Sequence, residues 1–439
     1  MKKMLRYVAA VIAFCFLFLL CGKFFRYILV DDTSSYTRIT FHEMYEQDNI
    51  DILFVGSSHC YRTFIPEILD KKLGVNTFNV GTSAQQMDGS FMVIKEAAKY
   101  NNIKHIYLEV YYNLAFNAKE DRNLMTQTYI ISDYLRPSLD KMIYLLNASS
   151  KEHYINSFIP ARRNWAKFFN ADYVKNLIDK KLTRDYKKYE YTYVTGDTER
   201  YAGKGYVENK TAIEKWNFFS ESGWTKIDIN NISSDWLQSL KDIIEFCNKK
   251  EIELTLVSAP MPCFNLVASE NYDEYIAFIQ NFISNSNVDY FDFNLCKEEF
   301  FPNDSTLFYD ISHVNCYGAE KFSNLFADLV NGNISKNELF WDSYADKVDN
   351  MEAAVFGISY CNANNEDGGC VKHCKIISSC RDDLEYKIII KTDEGKTKLI
   401  QDYAENKYFN ILCDGHGILN ILYRSKESPN KTNLIEIAY

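Results

Sequence analysis

Residues 51–83, DILFVGSSHCYRTFIPEILDKKLGVNTFNVGTS, contain the pattern that decides the fold. The stretch opens with an apolar run that ends in a glycine and two serines, and residues 62–73 then carry apolar side chains at helical spacing. A second short apolar run, residues 76–80, ends at Gly81. A strand, a helix and a strand in this order predict a repeating unit of a parallel sheet.

The alternation of strands and helices continues along most of the chain. It predicts further helices over residues 88–100, 237–249, 272–283 and 317–329, and further strands over residues 104–110, 253–259 and 289–293. A chain of 439 residues is long enough for such a core and one accessory piece. The predicted fold class is therefore α/β, with a doubly wound parallel sheet in a domain over residues 40–335.

A long interruption separates the two halves of this pattern, from about residue 113 to residue 232, and it is rich in Tyr, Asn and Lys. Because it is too long for a plain loop, we expect an insertion with its own, helical structure that acts as a lid or substrate wall. Arg162 and Arg163 within it are candidates for contact with an anionic substrate. A solvated or ion-paired surface is the more common role of such a pair.

The N-terminal 30 residues predict a membrane anchor. Lys2, Lys3 and Arg6 precede an uncharged run over residues 7–22, and flanking apolar and snorkelling residues extend this run to spanning length. A cleaved signal peptide and a lipoprotein signal are the alternatives, but the residues before Cys21 are large and no small-residue cleavage pattern follows. The basic start predicts a single-pass protein of the cell membrane with its body outside the cytoplasm.

Residues 345–439 predict a small β domain, because segments such as EYKIIIKT and GILNILY alternate between apolar and polar side chains. Five of the twelve cysteines of the chain lie here: Cys361, Cys370, Cys374, Cys380 and Cys413. Their spacing leaves three possibilities open, namely disulfides outside the cell, free thiols, or a metal site that includes His373.

The charge of the chain excludes one class of partner. The formal net charge of −10 repels polyanions, and the Lys and Arg residues are dispersed along the sequence, so we expect no nucleic acid partner. Hydrophobic residues make up 47% of the chain, which is enough apolar surface for folded domains.

The segment FYDISHVNCYG, residues 308–318, carries the strongest chemical signal. Asp310 precedes His313 by three residues just before a predicted helix, so its carboxylate can accept the Nδ1 proton of the imidazole. Nε2 is then free to take a proton from a serine. The structural alternative is a helix-capping Asp310 or Ser312 beside a partly buried histidine.

The segment GSSH, residues 56–59, follows the first predicted strand, where open parallel sheets bind their ligands. A serine at this junction stands out from the sheet, and N–H groups at the following helix start can hold an oxyanion. The alternative is that Ser57 and Ser58 only cap the helix. Asn79 and Gly81, at the end of the second strand, are further candidates for binding an oxyanion or substrate, because a glycine there brings a backbone N–H close to a ligand.

Together these residues make the chain resemble the SGNH, or GDSL-like, hydrolase superfamily, in particular its membrane-anchored branch that handles acyl groups on cell-envelope polymers. The resemblance covers residues 50–112 and 236–329 and implies a flavodoxin-like, three-layer arrangement of the parallel sheet. It implies Ser58 as the nucleophile, His313 as its base and Asp310 as the acidic partner, without a cofactor or metal. The N–H groups of Gly81 and Ser58 would form the oxyanion hole.

One block departs from the family pattern. The chain has LEVYYN at residues 108–113, where the family has Gly-x-Asn-Asp with an Asn side chain that donates to the oxyanion. Asn113 is the candidate replacement, and His59 is a candidate for lining the pocket. Glu109 and Tyr111 are as consistent with packing or lid contacts as with chemistry.

The implied function is transfer of an O-acyl group, acetyl or D-alanyl, to a cell-envelope or extracellular glycopolymer through a Ser58 acyl-enzyme. The layout resembles that of the proteins for teichoic acid D-alanyl transfer and alginate O-acetylation. By that resemblance, a polytopic membrane acyltransferase of the MBOAT type would supply the acyl group. Two alternatives stay open: a carbohydrate or lipid esterase with the same site, and a non-catalytic envelope assembly or glycan-binding factor.

Overall fold

The computed structural model describes residues 2–117, 125–190, 193–195, 198–221, 227–364, 370–379, 383–413 and 415–439. A five-stranded sheet forms the centre of the α/β part. Its strands, numbered here along the chain, are β1 (Ile52–Val55), β2 (Thr77–Asn79), β3 (His105–Glu109), β4 (Glu253–Ser258) and β5 (Asp289–Asp292). Their order across the sheet is β2-β1-β3-β4-β5, and every neighbouring pair is parallel. The predicted parallel sheet is confirmed, and its strand order changes direction between β1 and β3, where sheets of this kind bind ligands.

Both faces of the sheet are buried. Successive side chains of a strand point to opposite faces, so Leu53 and Val55 join one apolar core and Phe54 joins the other. The first core contains the helices Tyr36–Glu46, Met87–Tyr100, Ser234–Lys250 and Tyr272–Ile283, and the second contains Ser58–Thr63, Pro66–Leu73 and Cys316–Val330. The sheet is therefore the middle of three layers.

The region predicted as one helix over residues 62–73 consists of two helices. Ser58–Thr63 follows β1 closely, and Pro66–Leu73 comes after a short break. Pro66 lies in the first turn of the second helix, and Ile65 before it is extended, as the proline ring favours. The first helix begins earlier than predicted, so that Ser58 is its first residue.

The insertion is helical mainly in its first part. Its α and 3-10 helices are Tyr112–Phe116, Thr126–Ser132, Leu139–Ala148, Lys151–His153, Tyr154–Phe158, Pro160–Phe169, Ala171–Leu182, Arg184–Lys188 and Ile229–Asn231. Its second part contains the antiparallel strands Tyr193–Thr195, Glu199–Gly203 and Tyr206–Asn209. The prediction of a helical insertion is wrong for this second part, because the positive φ angles of Gly203 and Gly205 allow a tight hairpin.

Two four-stranded sheets form the C-terminal region. One contains Val355–Asn364, Cys370–Ser378 and Tyr408–Leu412, and the other contains Leu384–Thr392, Thr397–Ala404, Gly417–Ser425 and Asn433–Ala438. Both sheets contribute to one apolar core, so they pack as a sandwich and confirm the predicted β character. The fourth strand of the first sheet, Phe218–Ser220, comes from the insertion and pairs with Val355–Asn364 in parallel. The insertion and the C-terminal region thus share a sheet.

The cysteines of the C-terminal region have mixed states. Cys370 begins the strand Cys370–Ser378 and forms a disulfide with Cys413, the residue after the neighbouring strand Tyr408–Leu412. Cys361 and Cys374 are free thiols, and Cys380 lies outside the described residues. The structure therefore combines two of the possibilities that the spacing left open.

The remaining helices are Lys2–Leu29, Cys263–Ala268, Phe293–Leu295, Ser305–Leu307, Lys336–Leu339 and Tyr344–Asn350. Lys2–Leu29 is long and apolar enough to cross a membrane, a property that a signal sequence shares. Its apolar side chains between Met4 and Phe24 are mostly exposed.

Candidate active site

The loop after β1 gives its two serines different environments. Ser57 is the N-cap of the following helix and is only 2% exposed. Its N–H and its hydroxyl both donate to Oε2 of Glu109, each at 2.7 Å. Ser58 is partly exposed, and its Oγ faces His313. Ser58 is therefore the accessible hydroxyl, whereas Ser57 is part of the interior.

Ser58, His313 and Asp310 form a hydrogen-bonded chain. The Oγ of Ser58 lies 2.8 Å from Nε2 of His313, although the two residues are 255 positions apart. Nδ1 of His313 lies 3.1 and 3.0 Å from the two carboxylate oxygens of Asp310. Burial raises the pKa of Asp310, but its bond to His313 and two backbone N–H groups together bring the pKa below its usual value. Asp310 is therefore ionised at neutral pH and can orient the imidazole.

His59 lies against His313. Its ring stacks on that of His313 with centroids 4.5 Å apart, and the Tyr111 ring lies 4.1 Å from it. Nε2 of His59 is 3.3 Å from Oγ of Ser312. Burial, and then the charge of His313, holds the pKa of His59 well below its usual value. His59 is therefore a neutral wall of the site at neutral pH.

Asn79 and Gly81 lie beside the helix that begins at Ser58, but their polar groups have internal partners. The amide nitrogen of Asn79 donates to the carbonyl oxygens of Cys60 and Phe64, and its Oδ1 accepts the Gly81 N–H at 3.0 Å. The Cys60 thiol also donates to Asn79, and burial holds the pKa of this thiol well above its usual value. An oxyanion role for the Gly81 N–H requires that its bond to Asn79 be shared or exchanged.

Asn113 lies at the rim of the site. It is exposed, in the short helix that follows β3. Burial raises the pKa of the Tyr111 hydroxyl, and hydrogen bonds from Ser312, Asn113 and Asn265 oppose this rise. Asn113 is thus connected to His59 through Tyr111, and no hydrogen bond within the described ranges joins it to Ser58.

Glu109 is a residue whose role the sequence left undecided. It ends β3, is 4% exposed, and holds both donors of Ser57. Burial raises its pKa to about 7, against the opposing hydrogen bonds from Ser57 and the Tyr111 N–H. A Cβ at Gly56 would lie 2.5 Å from the Glu109 Cβ, which explains the glycine before the two serines. The available signal was a carboxylate at the carboxyl end of an apolar strand.

The hairpin of the insertion, residues 199–209, contacts the part of the site that contains Ser58. Glu199 forms an ion pair with Arg62, which lies one helical turn after Ser58. The Asn79 N–H donates to the Lys204 carbonyl at 3.0 Å. The hairpin approaches so closely that a Cβ at Gly205 would lie 1.7 Å from the Asn79 carbonyl oxygen. The insertion is therefore anchored at the edge of the site.

The insertion also contacts the histidine side of the site. Nδ2 of Asn315 donates to the Thr211 carbonyl at 3.1 Å, while Oδ1 of Asn315 caps the helix Cys316–Val330. The Arg62 guanidinium lies 4.8 Å from the Tyr309 ring, which stacks on His313 at 5.4 Å. Both sets of contacts restrict the loop that carries His313.

Comparisons with known proteins constrain this site only weakly. A family model that carries no descriptive name matches residues 208–335, a span that contains Asp310 and His313 but not Ser58. No curated protein matches the chain. One solved structure, described as "a putative platelet activating factor from Streptococcus pneumonia", is 12% identical, with 73% of this chain and 98% of that chain covered and a TM-score of 0.31. A likeness at this score carries no argument.

Proposed function

We propose that the protein is a membrane-anchored serine acyl-transfer enzyme of the SGNH type. The observation that carries the proposal is the 2.8 Å contact between Oγ of Ser58 and Nε2 of His313, with Asp310 on the other ring nitrogen. A hydroxyl, an imidazole and a carboxylate in this order are the groups that nucleophilic acyl transfer requires. Their location at the carboxyl end of β1, beside the change in strand direction, supports the proposal.

In the first step, Nε2 of His313 takes the hydroxyl proton of Ser58 while Oγ attacks the carbonyl carbon of an ester or thioester. The tetrahedral oxyanion then collapses, the bond to the leaving group breaks, and His313 gives its proton to the departing oxygen or sulfur. Ser58 now carries the acyl group as an ester. Asp310 keeps the Nδ1 proton in place and stabilises the positively charged imidazole.

In the second step, an acceptor hydroxyl gives its proton to His313 and its oxygen attacks the acyl carbon of the Ser58 ester. The bond between that carbon and Oγ then breaks, and His313 returns the proton to Ser58. We propose a sugar hydroxyl of a cell-envelope or extracellular glycopolymer as the acceptor, and an acetyl or D-alanyl group as the cargo. A polytopic membrane acyltransferase of the MBOAT type would deliver that group. With water as the acceptor, the same site is an esterase.

Two features outside the site support a location outside the cytoplasm. The helix Lys2–Leu29 is apolar enough to anchor the chain in a membrane. The disulfide between Cys370 and Cys413 fits an oxidising compartment outside the cytoplasm. Both agree with a catalytic domain that meets glycopolymers at the cell surface.

One observation favours the non-catalytic alternative. The N–H of Gly81 is bonded to Asn79, and Asn113 lies at the rim. The Ser58 N–H, at the first position of its helix, is then the expected oxyanion donor that remains. Losing one such donor costs about 100- to 1000-fold in rate, so a slow enzyme or a glycan-binding scaffold is the second candidate.

A fluorophosphonate probe tests the proposal directly, because it reacts with an activated serine and needs no knowledge of the substrate. We expect the full-length protein to be labelled on the peptide that contains Ser58, and Ser58→Ala to abolish labelling. Ser335→Ala is the control, because Ser335 is an exposed serine that caps the separate helix Lys336–Leu339. A folded wild-type protein that is not labelled, or labelling that survives Ser58→Ala, would exclude Ser58 as the nucleophile.

A further inference from the structure

An apolar segment of the insertion lies beside the end of the N-terminal helix. We name this segment the collar and define it as residues 155–169. Its large exposed apolar side chains are Ile155, Phe158, Ile159, Trp165, Phe168 and Phe169, with Phe169 81% exposed. A soluble surface rarely groups so many exposed aromatic and aliphatic side chains within one short segment.

The collar is fixed to the N-terminal helix by packing and hydrogen bonds. The Phe25 ring packs edge-on against Trp165 at 5.3 Å and Phe168 at 5.8 Å. Nδ2 of Asn164 donates to the Leu29 carbonyl at 3.0 Å. These contacts hold the collar in one place relative to the helix.

Arg163 of the collar makes a bidentate ion pair with Asp133, at 2.7 and 2.8 Å. The Arg26 side chain of the N-terminal helix donates to the carbonyl oxygen of the same Asp133. Asp133 therefore joins the helix to the collar, and Arg163 already has its counter-ion.

The depth of the collar follows from its position along the helix. A cavity of about 690 Å³ lies between the two elements and is lined by Phe18, Gly22 and Phe25 on the helix side. At a rise of about 1.5 Å per residue, Phe18 lies roughly 10 Å from Phe25 along the helix axis. Phe18 belongs to the uncharged run that ends at Gly22, so the collar extends alongside the part of the helix that a bilayer would cover.

The chemistry of the cavity matches a lipid. Its collar side is formed by Ile159, Ala161 and Trp165, which suit an acyl chain, with Arg162 and Arg163 at the same site. Arg163 has its counter-ion in Asp133, whereas Arg162 is exposed and donates to the amide oxygen of Asn156. An exposed guanidinium beside an apolar space can bind the phosphate of a headgroup. Aromatic side chains such as Trp165 favour the same interfacial depth.

We propose that the collar inserts into the outer part of the bilayer and that the cavity holds one acyl chain of a membrane phospholipid, with the lipid phosphate at Arg162. This inference rests on the membrane anchor of the proposed function and does not depend on the chemistry at Ser58. The collar therefore fixes the orientation of the body relative to the membrane, in addition to the tether that the N-terminal helix provides.

Quenching of tryptophan fluorescence by brominated lipid tests the insertion. The full-length protein is reconstituted in nanodiscs of phosphatidylcholine and phosphatidylglycerol with or without bromine on the acyl chains. We expect brominated lipid to quench the wild-type protein, and Trp165→Phe to remove most of that quenching. The matched control is Trp341→Phe, a partly exposed tryptophan of the α/β part, which should leave the lipid-dependent quenching unchanged.

The results distinguish insertion of the collar from anchoring by the N-terminal helix. Equal quenching of the wild-type protein and Trp165→Phe would overturn collar insertion. Protein that fails to stay with the nanodiscs would overturn the anchor itself, and with it the inference. Fluorophosphonate labelling of the same samples reports on Ser58 independently of either result.

A photoreactive phosphatidylglycerol with a diazirine on its acyl chain tests the cavity. We expect cross-links in the collar peptide as well as in the N-terminal helix, and a severalfold decrease in collar cross-links for Arg162→Glu. Lys167→Glu makes the same charge change on the same segment, away from the residues that line the cavity, and should have no such effect. Cross-links confined to the N-terminal helix, or an equal decrease in both variants, would overturn the lipid site.

Discussion

The two halves of the candidate active site are held in place in different ways. Ser58 follows a strand of the central sheet, and the adjacent Ser57 is fixed from inside by the buried carboxylate of Glu109. His313 lies in a loop, and Asn315 ties that loop to the insertion. The comparison teaches that the position of Ser58 depends on the sheet, whereas the position of His313 depends on contacts with the insertion.

The largest effect is expected when the negative charge beside His313 is removed. Asp310→Asn keeps the size of the side chain but removes the charge that selects the imidazole tautomer, so we expect acyl transfer to fall by about 10⁴-fold. Turnover of an activated ester by the purified protein measures this loss. Asp304→Asn is the control, because Asp304 caps a neighbouring 3-10 helix and leaves His313 untouched. Equal activities of Asp310→Asn and the wild-type protein would show that the base acts without its acidic partner.

A smaller effect is expected when the outer support of the base is removed. Nδ2 of Asn315 lies within hydrogen-bond distance of three carbonyl oxygens, including that of Thr211 in the insertion, and Oδ1 caps the following helix. Asn315→Asp keeps the cap and loses the donors, so we expect activity to fall by about 10- to 100-fold through misplacement of His313.

The structural readout for Asn315 is proteolysis of the loop and the insertion. We expect faster cleavage of both segments in Asn315→Asp, while the helix Cys316–Val330 stays protected because its cap remains. Unchanged activity together with faster cleavage would mean that the insertion does not position the base.

The inner support of the nucleophile should respond to pH. Glu109 has a pKa of about 7 in the folded protein, above its usual 4.5. Below pH 4.5 the carboxyl is protonated in both states, and as pH rises to 7 the unfolded state ionises first. Folding stability therefore falls across this window, by up to about 3 kcal/mol from this group.

Glu109→Gln tests that pH dependence, because glutamine keeps an acceptor for Ser57 but cannot ionise. We expect the free energy of unfolding of the variant to lose the part of the downward slope that Glu109 causes between pH 4.5 and 7. Activity should fall by less than about tenfold, since Ser57 keeps its partner. Glu109→Ala leaves both donors of Ser57 unpaired. It should therefore lower both the free energy of unfolding and the activity more than Glu109→Gln does. A wild-type slope retained by Glu109→Gln would assign it to another group, such as the buried Asp292.

The smallest effect is expected at the contact that joins both halves. Arg62 pairs with Glu199 of the insertion and lies over Tyr309, which stacks on His313. Glu199→Gln removes the charge but keeps the packing and an oxygen acceptor for the Arg62 guanidinium, so we expect a loss of only about two- to fivefold in turnover. Arg200→Gln on the same strand is the control, because its pair with Glu208 lies away from Tyr309. A loss of turnover as large as that of Asn315→Asp would show that Arg62 supports His313 as strongly as Asn315 does.

Much of the fold could be predicted because its signals are local. The helix Tyr272–Ile283 has the predicted bounds, and β1 and β3 lie within the predicted apolar runs. The helix break at Pro66 was missed, although proline supplies the signal, because the apolar spacing continues across it. The strands in the second part of the insertion were missed because their short alternation was hidden in a long polar stretch.

The main residues of the candidate site could also be predicted from the sequence. Strand ends and the Asp-x-x-His spacing selected the two segments with Asp310 and His313, and the family resemblance selected Ser58 rather than Ser57. The structure brings Ser58, Asp310 and His313 together. The partners of Asn79 and Gly81 could not be predicted, because they depend on how closely β2 packs against the nucleophile helix. The same holds for Cys370, whose choice of Cys413 depends on strand pairing.

The sequence by itself determined the parallel sheet, the apolar N-terminal helix and the residue types of the candidate site. These follow from periodicity and order along the chain, which are properties of near neighbours. Only the tertiary structure decided that Glu109 reaches Ser57, that the insertion supports His313, and that the collar meets the end of the N-terminal helix. Such contacts join residues far apart in the chain, and their distances are set by packing between whole layers rather than by any local pattern.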